Sequence, residues 1–373
     1  MSKRFWTAVF IIIVIAVPGY SGTLSLNKQK GGKKPEVVEN GKKPVTVKGC
    51  LSEVHFVREL TVGESEDPDR AFSQLAGFTV TDDGQIFALD MKEKKVKIFD
   101  SQGKFIRSFG KEGQGPGELS MPSGISVTPK GEIMIEDAMN RRLSYFSAQG
   151  EYLHQISIAD KTGLVNILIG PEGNMLGREI VLADNQMYFD IKKFNPELKP
   201  LFTIDRMEFP NPLQGKINLM EIISLYQYDS RGNVVYGRTD KYEIHFYDGE
   251  GNRFRTIKKD YEPVKVTPED VKEMTDRIPD TGINLKERLE FPENFPAYSF
   301  FSLDDQDRIY VRTYEKGKNE DAYALEIFDK EGRFFAKTFC ELTPMLWKGS
   351  QVYSIEENEE GYQIIRRYRA DWK

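Results

Sequence analysis

Six residues fall at matching or adjacent places in a repeated unit and carry chemistry that a ligand can use. Asp90, Asp137 and Glu356 are carboxylates; Arg178, Arg238 and Arg312 are guanidinium groups. A guanidinium fork suits a carboxylate or phosphate on a ligand, often through two parallel hydrogen bonds. Set on one rim, the six would form a dipolar mouth, negative on one flank and positive on the other, suited to an anionic or zwitterionic ligand. Two plainer readings stand beside this one. Strand ends are polar because they meet solvent, and such residues also pair with one another across units.

A repeat fixes the heights of these residues. Gly63, Ser73, Gly77, Val80, Thr81, Gly84, Ile86, Asp90, Phe99, Gln102 and Gly103 recur 47 residues later as Gly110, Ser120, Gly124, Val127, Thr128, Gly131, Ile133, Asp137, Phe146, Gln149 and Gly150. A fixed period in this range belongs to repeat architectures. Each unit reads as four short strands, a to d. In the first unit these are LAGFTV, QIFALD, KVKIFD and KFIRSF, with turns at Asp82-Asp83-Gly84 and Ser101-Gln102-Gly103. Apolar residues alternate with polar ones (Val96 and Ile98 against Lys95 and Lys97), and glycine supplies the left-handed turn positions. Turns at Pro171-Glu172-Gly173, Ser230-Arg231-Gly232 and Asp305-Gln306-Asp307 mark three further units. A sixth begins near Leu346 and lacks strand d. The unmatched strand Val54–Val62 upstream aligns with strand d of the first unit. The expected fold is therefore all-β: a six-bladed β-propeller of four-stranded blades, its ring closed by the N-terminal strand pairing with the last blade.

In this register, the ends of the b strands place Asp90, Asp137, Glu179, Arg238, Thr313 and Glu356 on one face, called the top. Leu89, Glu136, Arg178, Gly237, Arg312 and Ile355 stand one residue earlier. Two insertions between a strand d and the next strand a reach the same face, at 206–224 and 259–296. The second holds a helix start at Thr267-Pro268-Glu269-Asp270, with Thr267 as N-cap, and Val271, Met274 and Ile278 follow on one helical face. It reads as a cap over the side of blades four and five, or as a cover for the channel edge.

The run FGKEGQGPGELSMPSGISVTPKGEIMIEDAMNRRLSYFSAQGEYLHQI resembles the NHL-repeat type of six-bladed propeller. In that family a Gly-Pro-Gly-rich linker leads into Pro-x-Gly-apolar-x-Val, a glycine turn and Asp-x-x-Asn-x-Arg. The resemblance is strong over 104–156, fair over 62–103 and architectural beyond 160. The last motif is kept as Asp137, Asn140 and Arg142, and it implies a mainly bracing role for them. Blade one keeps Asp90 but has Glu93 and Lys95 where blade two has Asn140 and Arg142. The family is a scaffold for binding and for a few unrelated enzymes, so the fold by itself assigns no activity.

The chain opens with Lys3-Arg4, the apolar run TAVFIIIVIAV and small residues, which reads as a secretory signal peptide over 1–22. Residues 23–50, with seven Lys against two Glu, read as a Lys-rich linker. It serves as a solvated spacer or touches an anionic envelope surface. Residues 51–373 form the propeller, carrying the helical insertion at 259–296. The whole chain has net charge −6, and the basic N-terminal stretch leaves the body from residue 51 acidic. The acidic body argues against nucleic acid, which is bound mainly by neutralising phosphates. Secretion, or a periplasmic location, argues the same way. The register places Cys50 and Cys340 on opposite faces, so they are expected to be unpaired.

Catalytic zinc or general-base work usually recruits histidine near the channel. His55 and His154 fall in outer strands and His245 in strand c, so a three-histidine metal site is not supported. A lactonase-like propeller instead holds a divalent cation through oxygen ligands, and Glu136, Asp137, Glu179, Asn166 and Glu356 are the candidates. The sequence thus favours a binding module over an enzyme. Its expected ligand is a peptide, protein or glycan bound on the top face, with no cofactor, by a monomer. The alternatives are a propeller hydrolase or lyase with a divalent cation in the channel, and a structural component of the cell envelope.

Overall fold

The computed structural model describes residues 34–49, 51–161, 163–183, 186–209, 216, 218, 220, 223–276, 286–319 and 321–373. The expected signal peptide, Cys50 and Ile278 lie outside them. Six sheets form the ring. Blade one spans Leu75–Phe109, blade two Pro122–Ser157, blade three Val165–Phe209, blade four Ser224–Lys259 and blade five Phe300–Cys340. Blade six takes three strands from Leu346–Trp372 and its fourth from Val54–Val62, which runs antiparallel to Gln363–Trp372. The closure expected from the repeat is therefore formed by the expected residues.

Alternation along each strand builds the ring's core, because successive side chains point to opposite faces of a blade. In blade one, Ile86 and Ala88 pack towards blade six, whereas Phe87 and Leu89 pack towards blade two. Each seam between blades is thus a separate apolar layer. Most of the turns share one device. A side-chain oxygen at the turn's first residue accepts backbone N–H bonds from further along, as Asp100 does from Gln102 and Lys104, both at 2.9 Å. The left-handed position is usually glycine; in the blade-five turn Asp307 takes it, at φ 59°.

The segment read as a linker needs correction. Glu36–Asn40 forms a fifth strand on blade four, parallel to its outer strand Arg253–Lys259. The Asn40 amide donates to the carbonyls of Lys258 and Gly332 and accepts from the Phe334 N–H, so it bridges blades four and five. Val45 N–H adds a bond to the Phe334 carbonyl at 2.9 Å. This stretch covers an open sheet edge that would otherwise present unpaired backbone groups.

The 259–296 insertion contains the expected helix, Pro268–Asp276. Thr267 caps it, accepting from Asp270 N–H at 3.2 Å, while the Asp270 carboxylate accepts from Thr267 N–H at 3.0 Å. Met274 joins Val264, Val266, Phe291 and Phe295 from the same insertion, Met220 from the 206–224 insertion, and Tyr314 of blade five in one apolar cluster. Phe295 stacks on Tyr314 with centroids 4.4 Å apart. An Asp270–Lys316 pair at 3.7 Å ties the helix to the end of the same blade-five strand, Ile309–Lys316.

Candidate functional site

Strand b is the second strand of each blade, not the one that lines the channel. Its side chains therefore point into the seams rather than towards the axis. This decides the fate of the six rim residues. They share a height, but they face four different seams, so the single dipolar mouth is not formed.

Blades one and two use their carboxylates as braces. Asp90 is fully buried and accepts from the N–H groups of Ser73 (2.6 Å), Gln74 (3.3 Å) and Glu93 (3.0 Å). Asp137, also fully buried, accepts from Ser120 and Met121 N–H and from Asn140 Nδ2 at 2.6 Å. Arg142 donates to the carbonyls of Gln114, Gly115 and Glu118 and to Gln155 Oε1, over 2.7–3.1 Å. The Asp-x-x-Asn-x-Arg motif thus ties the Gly-rich linker to the blade. Blade one reaches the same result with other residues. Lys97, 1% exposed, donates to the Pro68 and Ala71 carbonyls and to Glu93.

Arg178 and Arg238 both face the seam between blades three and four. Arg178 donates to the carbonyl and hydroxyl of Ser224, each at 3.1 Å, and lies over the Phe189 ring. Arg238 is 42% exposed on its side chain and pairs with Asp205 at 3.8 Å and Asp240 at 3.3 Å.

Arg312 and Glu356 are the two of the six that share a seam, the one between blades five and six. Two residues before Arg312, on the same face, Tyr310 stacks on Trp347 of blade six with centroids 4.2 Å apart. Arg312 is 6% exposed, yet among the described residues its guanidinium has neither a hydrogen-bond acceptor nor a carboxylate within ion-pair distance. Its guanidinium carbon lies 4.1 Å from the centroid of the Tyr323 ring. Burial lowers its pKa from the usual arginine value. Tyr323 pairs with Cys340 across the sheet, so Arg312, Tyr323 and Cys340 form the top layer of blade five's face. The opposing face of blade six carries Glu356, whose carboxylate accepts from Arg366 at 2.6 Å, Tyr368 at 2.8 Å and the Ser354 hydroxyl. Burial pushes the Cys340 thiol up to about 12; Arg312 opposes that shift and Glu356 reinforces it. The thiol is thus no nucleophile at neutral pH. Arg366 also lines a polar groove of about 350 Å³ with Arg58, Glu59, Leu60, Thr61, Glu64 and Glu359.

Sequence reasoning found Arg312 and Glu356 but missed Tyr323, Arg366 and Tyr368. Those three lie on strands c, which the rim alignment did not follow.

The oxygen ligands considered for a cation are committed elsewhere. Glu136 accepts from the N–H groups of Asn166 (3.0 Å) and Ile167 (2.6 Å), and burial pushes its carboxyl up to about 7. Glu179 pairs with Lys192 at 2.6 Å. Among the described residues, no three His, Cys, Asp or Glu side chains gather as a metal site. His55 and His154 lie on outer strands and His245 on strand c, where the register put them.

A family model described as a 6-bladed beta-propeller matches residues 71–360. The chain belongs to that family. No curated protein matches it in sequence. Among solved structures, the family member is similar to a Bacteroides fragilis protein described as exported, with 12% identity, a TM-score of 0.54, and coverage of 90% of this chain and 99% of the other. A Bacteroides vulgatus protein is similar at 13% identity and a TM-score of 0.52, over 87% of this chain and 100% of the other. Likeness at these identities bears on the fold alone.

Proposed function

We propose that this propeller is an exported binding module that receives a peptide, protein or glycan at the top of the seam between blades five and six, through an anionic group on that ligand. One observation carries the reading. Among the described residues, Arg312 is 6% exposed and its buried Nε–H has no acceptor, and a largely desolvated charge without a partner is costly unless something compensates it. The Tyr323 face offsets part of that cost, on the order of 2 kcal/mol for a desolvated cation–π contact. An anionic ligand would supply the rest. A further feature supports a binding site: the insertion docked beside Arg312 on Tyr314 and Lys316. Export is supported by the basic and apolar opening of the sequence.

The test is a panel of peptides and glycans probed with labelled wild-type protein and Arg312→Met. Members carrying carboxylate, phosphate or sulfate groups should bind the wild type and lose binding to the variant. Equal binding of the same members to both proteins would remove Arg312, and with it this reading.

A further inference from the structure

The groups around Arg312 also bear on which anion the seam takes. The argument rests on the seam being a binding site, as proposed above.

Charge comes first. Among the described residues, the facing top layers hold two guanidinium groups, Arg312 and Arg366, and one carboxylate, Glu356. Glu356 is already held by Arg366 and Tyr368. Cys340 is a neutral thiol. Glu341, next along the chain, is exposed and accepts from the Asn319 side chain at 2.7 Å. Among the described residues, one positive charge is left over inside the seam. A monoanion cancels it. A dianion would leave a net negative charge in a desolvated layer, beside Glu356, and like charges in such a place are costly.

Shape gives the same answer. Tyr323 covers one face of the Arg312 guanidinium. A ligand must therefore meet the planar edge, where the Nε–H is buried without an acceptor. A planar, two-oxygen acceptor matches that edge with two parallel hydrogen bonds. Beside it, the Tyr314 ring stacks on Phe295 and adds apolar surface.

We infer that Arg312 receives a single carboxylate, edge-on, at the top of the seam between blades five and six. A free peptide terminus and an acidic sugar both supply this group, so the experiment carries one of each. Sodium N-acetylglycinate, sodium glucuronate, sodium phosphate and sodium sulfate are titrated into the full-length chain at matched ionic strength and neutral pH. Melting temperature and heat of binding are read for the wild type, Arg312→Met and Arg312→Lys. A carboxylate should raise the wild-type melting temperature by a few degrees at saturation. The shift should vanish in Arg312→Met. In Arg312→Lys, a point charge without the fork, affinity should fall about tenfold or more. Response to glucuronate alone, or to N-acetylglycinate alone, supports the inference and identifies the source. Phosphate or sulfate binding more tightly than both carboxylates overturns the carboxylate assignment and leaves the seam as an anion site. No response to any of the four overturns the inference. The peptide and glycan panel then decides separately whether the seam binds anything.

Discussion

Two buried arginines, one in blade two and one in blade five, show how differently one residue type can be used in one ring. Arg142 and Arg312 are each 6% exposed. Arg142 has three backbone carbonyls and a glutamine oxygen around it, with Asp137 at 4.0 Å. Arg312 has an aromatic face and no acceptor among the described residues. The first arrangement satisfies its charge within the chain and fixes a loop. The second leaves the charge available, which is what a site requires and a brace does not.

Substitution can break this contrast. Arg142→Met should destabilise the fold most, by about 3–5 kcal/mol, because several buried acceptors and Asp137 lose their partner together. Urea unfolding measures it, and a loss under about 1 kcal/mol would mean that the Gly-rich linker is held by something else.

Glu136, also on blade two, sharpens the comparison through pH. Its carboxyl titrates at about 7 in the fold against an ordinary 4.5, because it is buried. The folded chain thus keeps a proton that the unfolded chain releases. Its stabilising contribution is full below about pH 4.5 and is lost as pH rises to 7. That loss is on the order of 3 kcal/mol. Glu136→Gln should gain stability relative to the wild type as pH rises from 4.5 to 7. Parallel stability curves for the two proteins would show that Glu136 is not the titrating group.

The smallest stability effect belongs to Arg312. Removing an unpaired charge strands nothing, so Arg312→Met should leave stability within about 1 kcal/mol or raise it. Destabilisation comparable to Arg142→Met would show that Arg312 is a brace after all, and the contrast would collapse.

The fold was legible because the features that set it repeat. Glycine turns, alternating apolar residues and the ungapped match of Val54–Val62 to strand d are all local and periodic. The height of the rim residues was legible for the same reason. Their direction was not. The register gives a residue's distance along strand b, but strand b packs against neighbouring blades, so residues at one height diverge into separate seams. Lys97 was hidden differently. It does for blade one what Arg142 does for blade two from a position two residues beyond the aligned one. Glu36–Asn40 left no repeat to align, and five residues in a Lys-rich stretch carry too little pattern to announce a strand.

That added strand also sets the order in which the molecule would yield to force. Moving inward from the N-terminal side, tension meets Glu36–Asn40 and its bridge at Asn40 before it reaches Val54–Val62, the strand that closes the ring. The hydrogen bonds to blade four and the Asn40 contacts to blade five must part first. If the Lys-rich segment holds the protein to a surface, the load falls on this outer clasp. The ring, and the seam that carries Arg312, stays shut until the clasp has gone.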